Sequence, residues 1–147
     1  MKERFETFTV LINKISRNVR KLKNREMAEY GLRSTHVSCL YYLYSADALT
    51  AAELCERCEE DKATISRALE FLEAGELIVC ECKTGKRYKS PWRLTEKGRD
   101  AAREIVGKVN AVLDGVGVGL TDEQRDAFYS YLTVISDRLE EATEQLD

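Results

Sequence analysis

At Gly75 the sequence changes its rhythm. Upstream of this glycine, apolar side chains recur every three or four positions, the pattern of amphipathic helices. From Leu77 to Lys83, and again from Tyr88 to Leu94, the period drops to two. The two alternating runs flank Lys83-Thr84-Gly85-Lys86-Arg87, a turn composition, and together they predict one β-hairpin with a cationic tip. The only proline, Pro91, falls in the second run and predicts an edge strand, because proline cannot donate to a ladder. Such a chain is mainly α with a small β-hairpin.

The helix that leads into Gly75 is predicted over Asp61–Gly75, DKATISRALEFLEAG. Asp61 suits the N-cap, where its carboxylate accepts from free backbone N–H groups, and Gly75 suits the C-terminal stop. Ile65, Leu69 and Leu72, with Ala68 beside them, mark the core face. The opposite face opens with Lys62, Ala63, Thr64, Ser66 and Arg67, small, hydrogen-bonding or cationic side chains crowded into the first turns. A helix that reads base edges and phosphates from its N-terminal turns needs that arrangement, and an ordinary solvated helix could also carry it. Immediately before it, Thr50-Ala51-Ala52-Glu53 has the capping-box pattern. Ala51, Leu54, Cys55 and Cys58 share one face of the helix this opens. Two short helices joined by the polar turn Glu59-Glu60 are a helix-turn-helix arrangement, and the hairpin behind it is a wing. Lys86, Arg87 and Lys89 on that hairpin are candidates for phosphate or minor-groove contact.

Both ends of the chain carry heptad stripes. A helix is predicted over residues 2–29, with Phe5, Phe8, Ile12, Ile15, Val19 and Leu22 on one face, and Gly31 breaks it. Its other face holds Arg17, Arg20, Lys21, Lys23 and Arg25, either a solvated face or a second basic patch. A further helix starts at Ser34 or Thr35 and runs to residue 46, with Tyr41, Tyr42 and Tyr44; Leu49-Thr50 follows as a short extended piece. Thr95 opens a helix reaching about Leu113. Asp114–Gly119, with three glycines, reads as a flexible joint, and Thr121–Gln124 caps a last helix striped by Phe128, Leu132, Ile135, Leu139, Ala142 and Leu146. Two long stripes beside one small core call for a second subunit. A two-fold dimer also suits two recognition helices set about 34 Å apart on duplex DNA. The expected organisation is an N-terminal dimerisation helix over 1–33, a winged helix-turn-helix DNA-binding domain over 34–98, and linking and C-terminal dimerisation helices over 99–147.

Charge supports a local basic face in a chain whose net charge is −3. Residues 62–103 carry +4 and residues 1–30 carry +4, against −4 over 31–61 and −7 over 104–147. No apolar run spans a bilayer and no export signal is present, so no membrane partner and a cytoplasmic location are expected. One histidine, no glycine-rich phosphate loop and no recognisable nucleophile–base pair argue against an enzyme, and no cofactor is expected. The five cysteines are read as reduced thiols. Cys55-x-x-Cys58 with Cys80-x-Cys82 admits a zinc or thiol sensor, set against plain packing of buried cysteine.

The run Leu54–Ile78, the hairpin, and Leu94-Thr95-Glu96-Lys97-Gly98 together resemble the MarR family of winged helix-turn-helix regulators, over essentially the whole chain. The resemblance implies an obligate dimer that binds a pseudo-palindromic operator as a transcriptional regulator, a repressor, controlled by a small ligand or by thiol oxidation. It places Lys62, Thr64, Ser66 and Arg67 at the family's DNA-contacting positions and Arg87 at its wing arginine. The family often has Asp-Arg-Arg at the wing. Lys86-Arg87-Tyr88 stands here instead, so the acid that usually buttresses the arginine is missing. The family's ligand pocket lies between its N-terminal helices and the helix after the wing, which here implies the neighbourhood of His36, Leu40, Tyr41 and Tyr44. The remaining alternative is a winged-helix protein-interaction module that does not bind DNA.

Overall fold

The structure, a computed structural model, describes residues 3–4, 6–82, 85 and 87–146, with the backbone alone at Tyr88. The chain divides into two compact units, Met1–Val109 and Asn110–Asp147.

In the first unit a π-helical turn, Glu6–Val10, runs into α1, Leu11–Glu26. The expected stripe stays uncovered: Phe8, Ile12, Ile15, Val19 and Leu22 are all exposed, and no residue of α1 is buried. Phe5, assigned to the same stripe, lies outside the described residues. A 3-10 turn, Ala28–Tyr30, then ends at Gly31, whose φ of 68° is left-handed backbone that glycine adopts without strain. Helix α2, Ser34–Ala46, is fixed at its start by its neighbours. Ser34 N–H donates to Asn24 Oδ1 at 2.7 Å, and Arg33 N–H donates to His36 Nδ1 at 2.9 Å. Its inner face is Val37, Cys39, Leu40 and Leu43, all buried.

The helix-turn-helix forms as its caps dictate. Thr50 Oγ1 accepts from Glu53 N–H while Glu53 Oε2 accepts from Thr50 N–H, closing the capping box that opens α3, Ala51–Cys58. Glu59, at φ 52°, turns the chain, and Glu60 N–H returns to Cys55 O at 3.1 Å. Asp61 Oδ1 then accepts from Thr64 N–H at 2.7 Å and starts α4, Lys62–Ala74. Ile65, Ala68, Leu69 and Leu72 are buried, as their spacing predicts. They join Leu54, Leu40, Leu43 and Ile105 in one core, with Ala51, Cys55 and Cys58 packed partly buried against it.

The sheet departs from the expected hairpin in two ways. Its strands are short: β1 is Ala48–Leu49, β2 Ile78–Cys80 and β3 Trp92–Leu94, with a 3-10 turn at Arg87–Lys89 where the second strand was expected to begin. The order is β1-β3-β2, all antiparallel, so the strand after Pro91 is the central one and the edge-strand expectation is wrong. Proline is accommodated because it precedes the first paired residue of β3. Pro91 offers its carbonyl to Glu81 N–H at 2.9 Å, a bond that needs no donor from proline.

After β3, Thr95 N–H donates to Leu77 O and Thr95 Oγ1 to Glu76 O, while Gly98 N–H donates to Thr95 Oγ1. These bonds seat the start of α5, Glu96–Val116, against the backbone that follows α4. The approach is so close that a Cβ on Gly98 would lie 1.8 Å from Leu77 O. The helix also outruns the expected joint. It continues through Gly115 to Val116, and Gly117 N–H still reaches Leu113 O, because glycine weakens a helix without removing its donor as proline would.

In the second unit, Thr121 and Gln124 form the expected capping box and open α6, Asp122–Glu144. None of its residues is buried. Phe128, Ile135 and Leu139 are exposed along its length, and Leu146 is exposed beyond its end.

Candidate nucleic-acid interface

The N-terminal turns of α4 present Lys62, Ala63, Ser66 and Arg67 to solvent, with Thr64 half-buried between them. This exposure follows from the core face. Once Ile65, Ala68 and Leu69 are buried, helical geometry turns residues 63, 66 and 67 outward, and Lys62 is exposed as the first residue of the helix. Arg67 Nη2 lies 3.4 Å from Thr64 Oγ1, one turn back, which keeps the guanidinium beside the helix N-terminus. Cationic side chains and the positive end of the helix dipole coincide there. Asp61 is held ionised: the Thr64 backbone N–H, then its hydroxyl, pull the Asp61 carboxyl below its ordinary value.

The wing meets this helix along a second face. Lys62, Ser66, Glu70 and Glu73 of α4 line a cleft of about 180 Å³ with Arg87 and Trp92. Arg87 Nη2 is hydrogen-bonded and ion-paired to Glu73 Oε1, and its guanidinium carbon stands 5.3 Å from the centroid of the Trp92 ring. Trp92 is only 6% exposed and anchors β3 in the core. The wing arginine thus has an acidic buttress, supplied by α4 and not by the wing. Lys89 is exposed on the same turn as Arg87, and Lys86 lies outside the described residues. At the far end of α4, Lys97 Nζ donates to Gly75 O at 2.9 Å and helps satisfy the last carbonyls of the helix.

The sequence profile described as a winged helix DNA-binding domain matches residues 35–113, from α2 through the wing and most of α5. The chain belongs to that family. The chain is 28% identical over 109 residues, 72% of its own length and 74% of the relative's, to the transcriptional regulator ZitR of Lactococcus lactis subsp. cremoris. Among solved structures it is similar to a MarR family transcriptional regulator from Silicibacter pomeroyi, at 27% identity, TM-score 0.77 and 89% of each chain covered. It also shares its fold with S. aureus MepR in a DNA complex, at 19% identity, TM-score 0.78, and 90% and 97% covered. The chain is therefore a DNA-binding transcriptional regulator whose fold is that of MarR family proteins, and its family and fold are those of regulators and not of enzymes. Among the described residues, no helix is long and apolar enough to cross a membrane.

The four residues named for a ligand pocket all lie on α2. His36 stacks on Phe71 of α4, centroids 4.4 Å apart and planes 11° from parallel, and burial, then Arg33, lowers its pKa. Leu40 is fully buried in the core, Tyr44 packs partly buried against it, and Tyr41 is exposed and edge-on to Tyr42. A cavity of about 620 Å³ lies nearby with other walls. Tyr30 and Leu32 come from the turn before α2, Phe71 and Leu77 from the end of α4 and beyond, and Asp100 and Glu104 from α5. Tyr30 Oη donates to Glu104, and Lys108 pairs with Glu29 above the Tyr30 ring. No local motif marks these walls, since three distant segments build them.

The thiols are likewise arranged by the fold and not by the motif. The thiol of Cys39 on α2, a residue the sequence did not single out, and after it the charge of Lys23 lower the Cys58 pKa although burial opposes them. Cys39, fully buried, is pushed far up by Cys58 in turn. Burial raises the Cys55 and Cys80 thiols; Cys80 Sγ faces Arg87 O at 3.9 Å, and Cys82 is half-buried. Among the described residues, no group of three His, Cys, Asp or Glu side chains is placed to hold a metal ion.

Proposed function

We propose that two copies of the chain associate through residues 1–33 and 99–147 and present two 34–98 domains to a pseudo-palindromic operator, where the regulator acts as a repressor. Each α4 enters a major groove by Lys62, Ala63, Thr64, Ser66 and Arg67. Each wing lays Arg87, with Lys86 and Lys89, on the flanking backbone or minor groove. The observation that carries this reading is the shared cleft at the wing base, where Lys62 and Ser66 of the helix meet Arg87 of the wing. Dimerisation is supported by the two uncovered stripes, Phe8 to Leu22 and Phe128 to Leu146, more exposed apolar surface than a monomer ordinarily keeps. Release is by a small effector in the 620 Å³ cavity, whose walls join the end of α4 to α5, or by oxidation of the Cys58 thiol.

Selection of bound duplexes from a random pool tests the reading, and an inverted repeat should emerge. Arg67→Ala and Arg87→Ala should weaken binding to it, and each lost phosphate contact should lower the slope of log K against log salt by about 0.9. If both variants bind like the wild type, the helix and wing are not the reading surface.

A further inference from the structure

The ion pair at the wing base bears on how the regulator engages DNA. Arg87 is 55% exposed and Glu73 37%, so the pair is accessible to solvent and to a competing anion. Glu73 stands next to the last residue of α4, roughly 16 Å along the helix axis from Lys62 at 1.5 Å per residue. The guanidinium is therefore tied to the C-terminal half of α4 within the cleft that Lys62 and Ser66 also line. Trp92 backs it on one side, and Glu70, one turn before Glu73, adds a second carboxylate to the same cleft. A carboxylate with its oxygens on an arginine fork offers the same charge and geometry as a phosphate diester.

We propose that Glu73 is an internal stand-in for DNA phosphate: it occupies Arg87 in the free protein and must give it up before the wing closes on DNA. Glu73 is then a positioning residue that sets affinity and salt dependence through Arg87. This rests on the DNA-reading assignment of the wing. An exposed pair is weak, so the restraint is modest, and its removal should tighten binding about two- to fivefold per wing.

The test is an anisotropy titration of the full-length protein with a duplex taken from the selected pool, at several KCl concentrations. Wild type, Glu73→Gln, Arg87→Ala and the double variant are compared, and Glu70→Gln serves as the control for removing a nearby charge. Glu73→Gln should bind tighter than wild type and tighter than Glu70→Gln, with a steeper salt slope. In the Arg87→Ala background the same change should have no effect. Equal or weaker binding by Glu73→Gln overturns the proposal, as does tightening that persists without Arg87, which would mean a general loss of repulsion. Failure of the wild type to bind any duplex would instead remove the DNA-reading assignment beneath it.

Discussion

Gly98 offers a sharp test of how the first unit is held together. A methyl group added there would sit 1.8 Å from Leu77 O and 2.8 Å from its carbonyl carbon, both backbone atoms that cannot rotate aside. Ordinary contact requires the start of α5 to retreat by roughly 1.5 Å. That retreat stretches the bond from Thr95 N–H to Leu77 O at 3.0 Å, that from Thr95 Oγ1 to Glu76 O at 2.7 Å, and that from Lys97 Nζ to Gly75 O at 2.9 Å. Losing two or three of them at about 1 kcal/mol each, with strain added, puts the cost of Gly98→Ala at about 2–4 kcal/mol. In a chain of this length that is a fall in Tm on the order of 10 °C. Thermal unfolding followed by circular dichroism measures it, at one fixed protein concentration because association would shift Tm as well. Gly107→Ala is the matched control. It lies in the same helix with no atom within 4 Å of the added methyl, and should stabilise by about 0.5–1 kcal/mol. If Gly98→Ala melts at or above the wild-type temperature, α5 is not seated on Leu77 as described.

Three further outcomes are expected. Cys58 should alkylate with iodoacetamide at a half-maximal pH below the ordinary thiol value of 9.0, and Cys39→Ala should move that pH upward; mass spectrometry of the labelled peptide reads it, and an unchanged profile denies the thiol pair. His36 has a depressed pKa, so its neutral form contributes stability that is complete above pH 6.5 and is lost as the pH falls through the folded value. His36→Gln, which keeps an acceptor for Arg33 N–H, should shrink the drop in Tm between pH 7.5 and pH 5, and a drop of full size would rule His36 out as its source. Ile15→Glu and Ile135→Glu change exposed stripe residues and should yield folded monomers by sedimentation, with helical circular dichroism retained; dimers of wild-type affinity would mean association uses another surface.

The sequence was most legible where structure is set by neighbours along the chain. Thr50, Asp61 and Thr121 announce their helices because a cap is a bond across three residues, and all three bonds form. The core face of α4 was equally plain, since burial of Ile65, Leu69 and Leu72 follows helical spacing. What eluded the reading depends on partners far apart in sequence. Pro91 suggested an edge because nothing near it reveals that Ala48 and Leu49 pair with Arg93 and Trp92. No acid adjoins Arg87 in the Lys86-Arg87-Tyr88 stretch, and only the fold brings Glu73 to it. Cys55-x-x-Cys58 with Cys80-x-Cys82 admits a metal or thiol sensor, whereas the thiol that most perturbs Cys58 is Cys39, on another helix. The 620 Å³ cavity has no signature because Tyr30, Phe71 and Glu104 come from three separate segments.

The position of β3 has a consequence for how such a molecule can be altered. With β1 bonded along one side and β2 along the other, its base is clamped, and among the described residues the outermost rung is Glu81 to Pro91. A flap hinged at its root would drag the reading helix with it. A finger fixed at the knuckle does not. Apart from Arg87, which is tied to Glu73 on α4, changes between residues 81 and 91 can therefore retune the grip on flanking sequence while the groove-reading helix keeps its place.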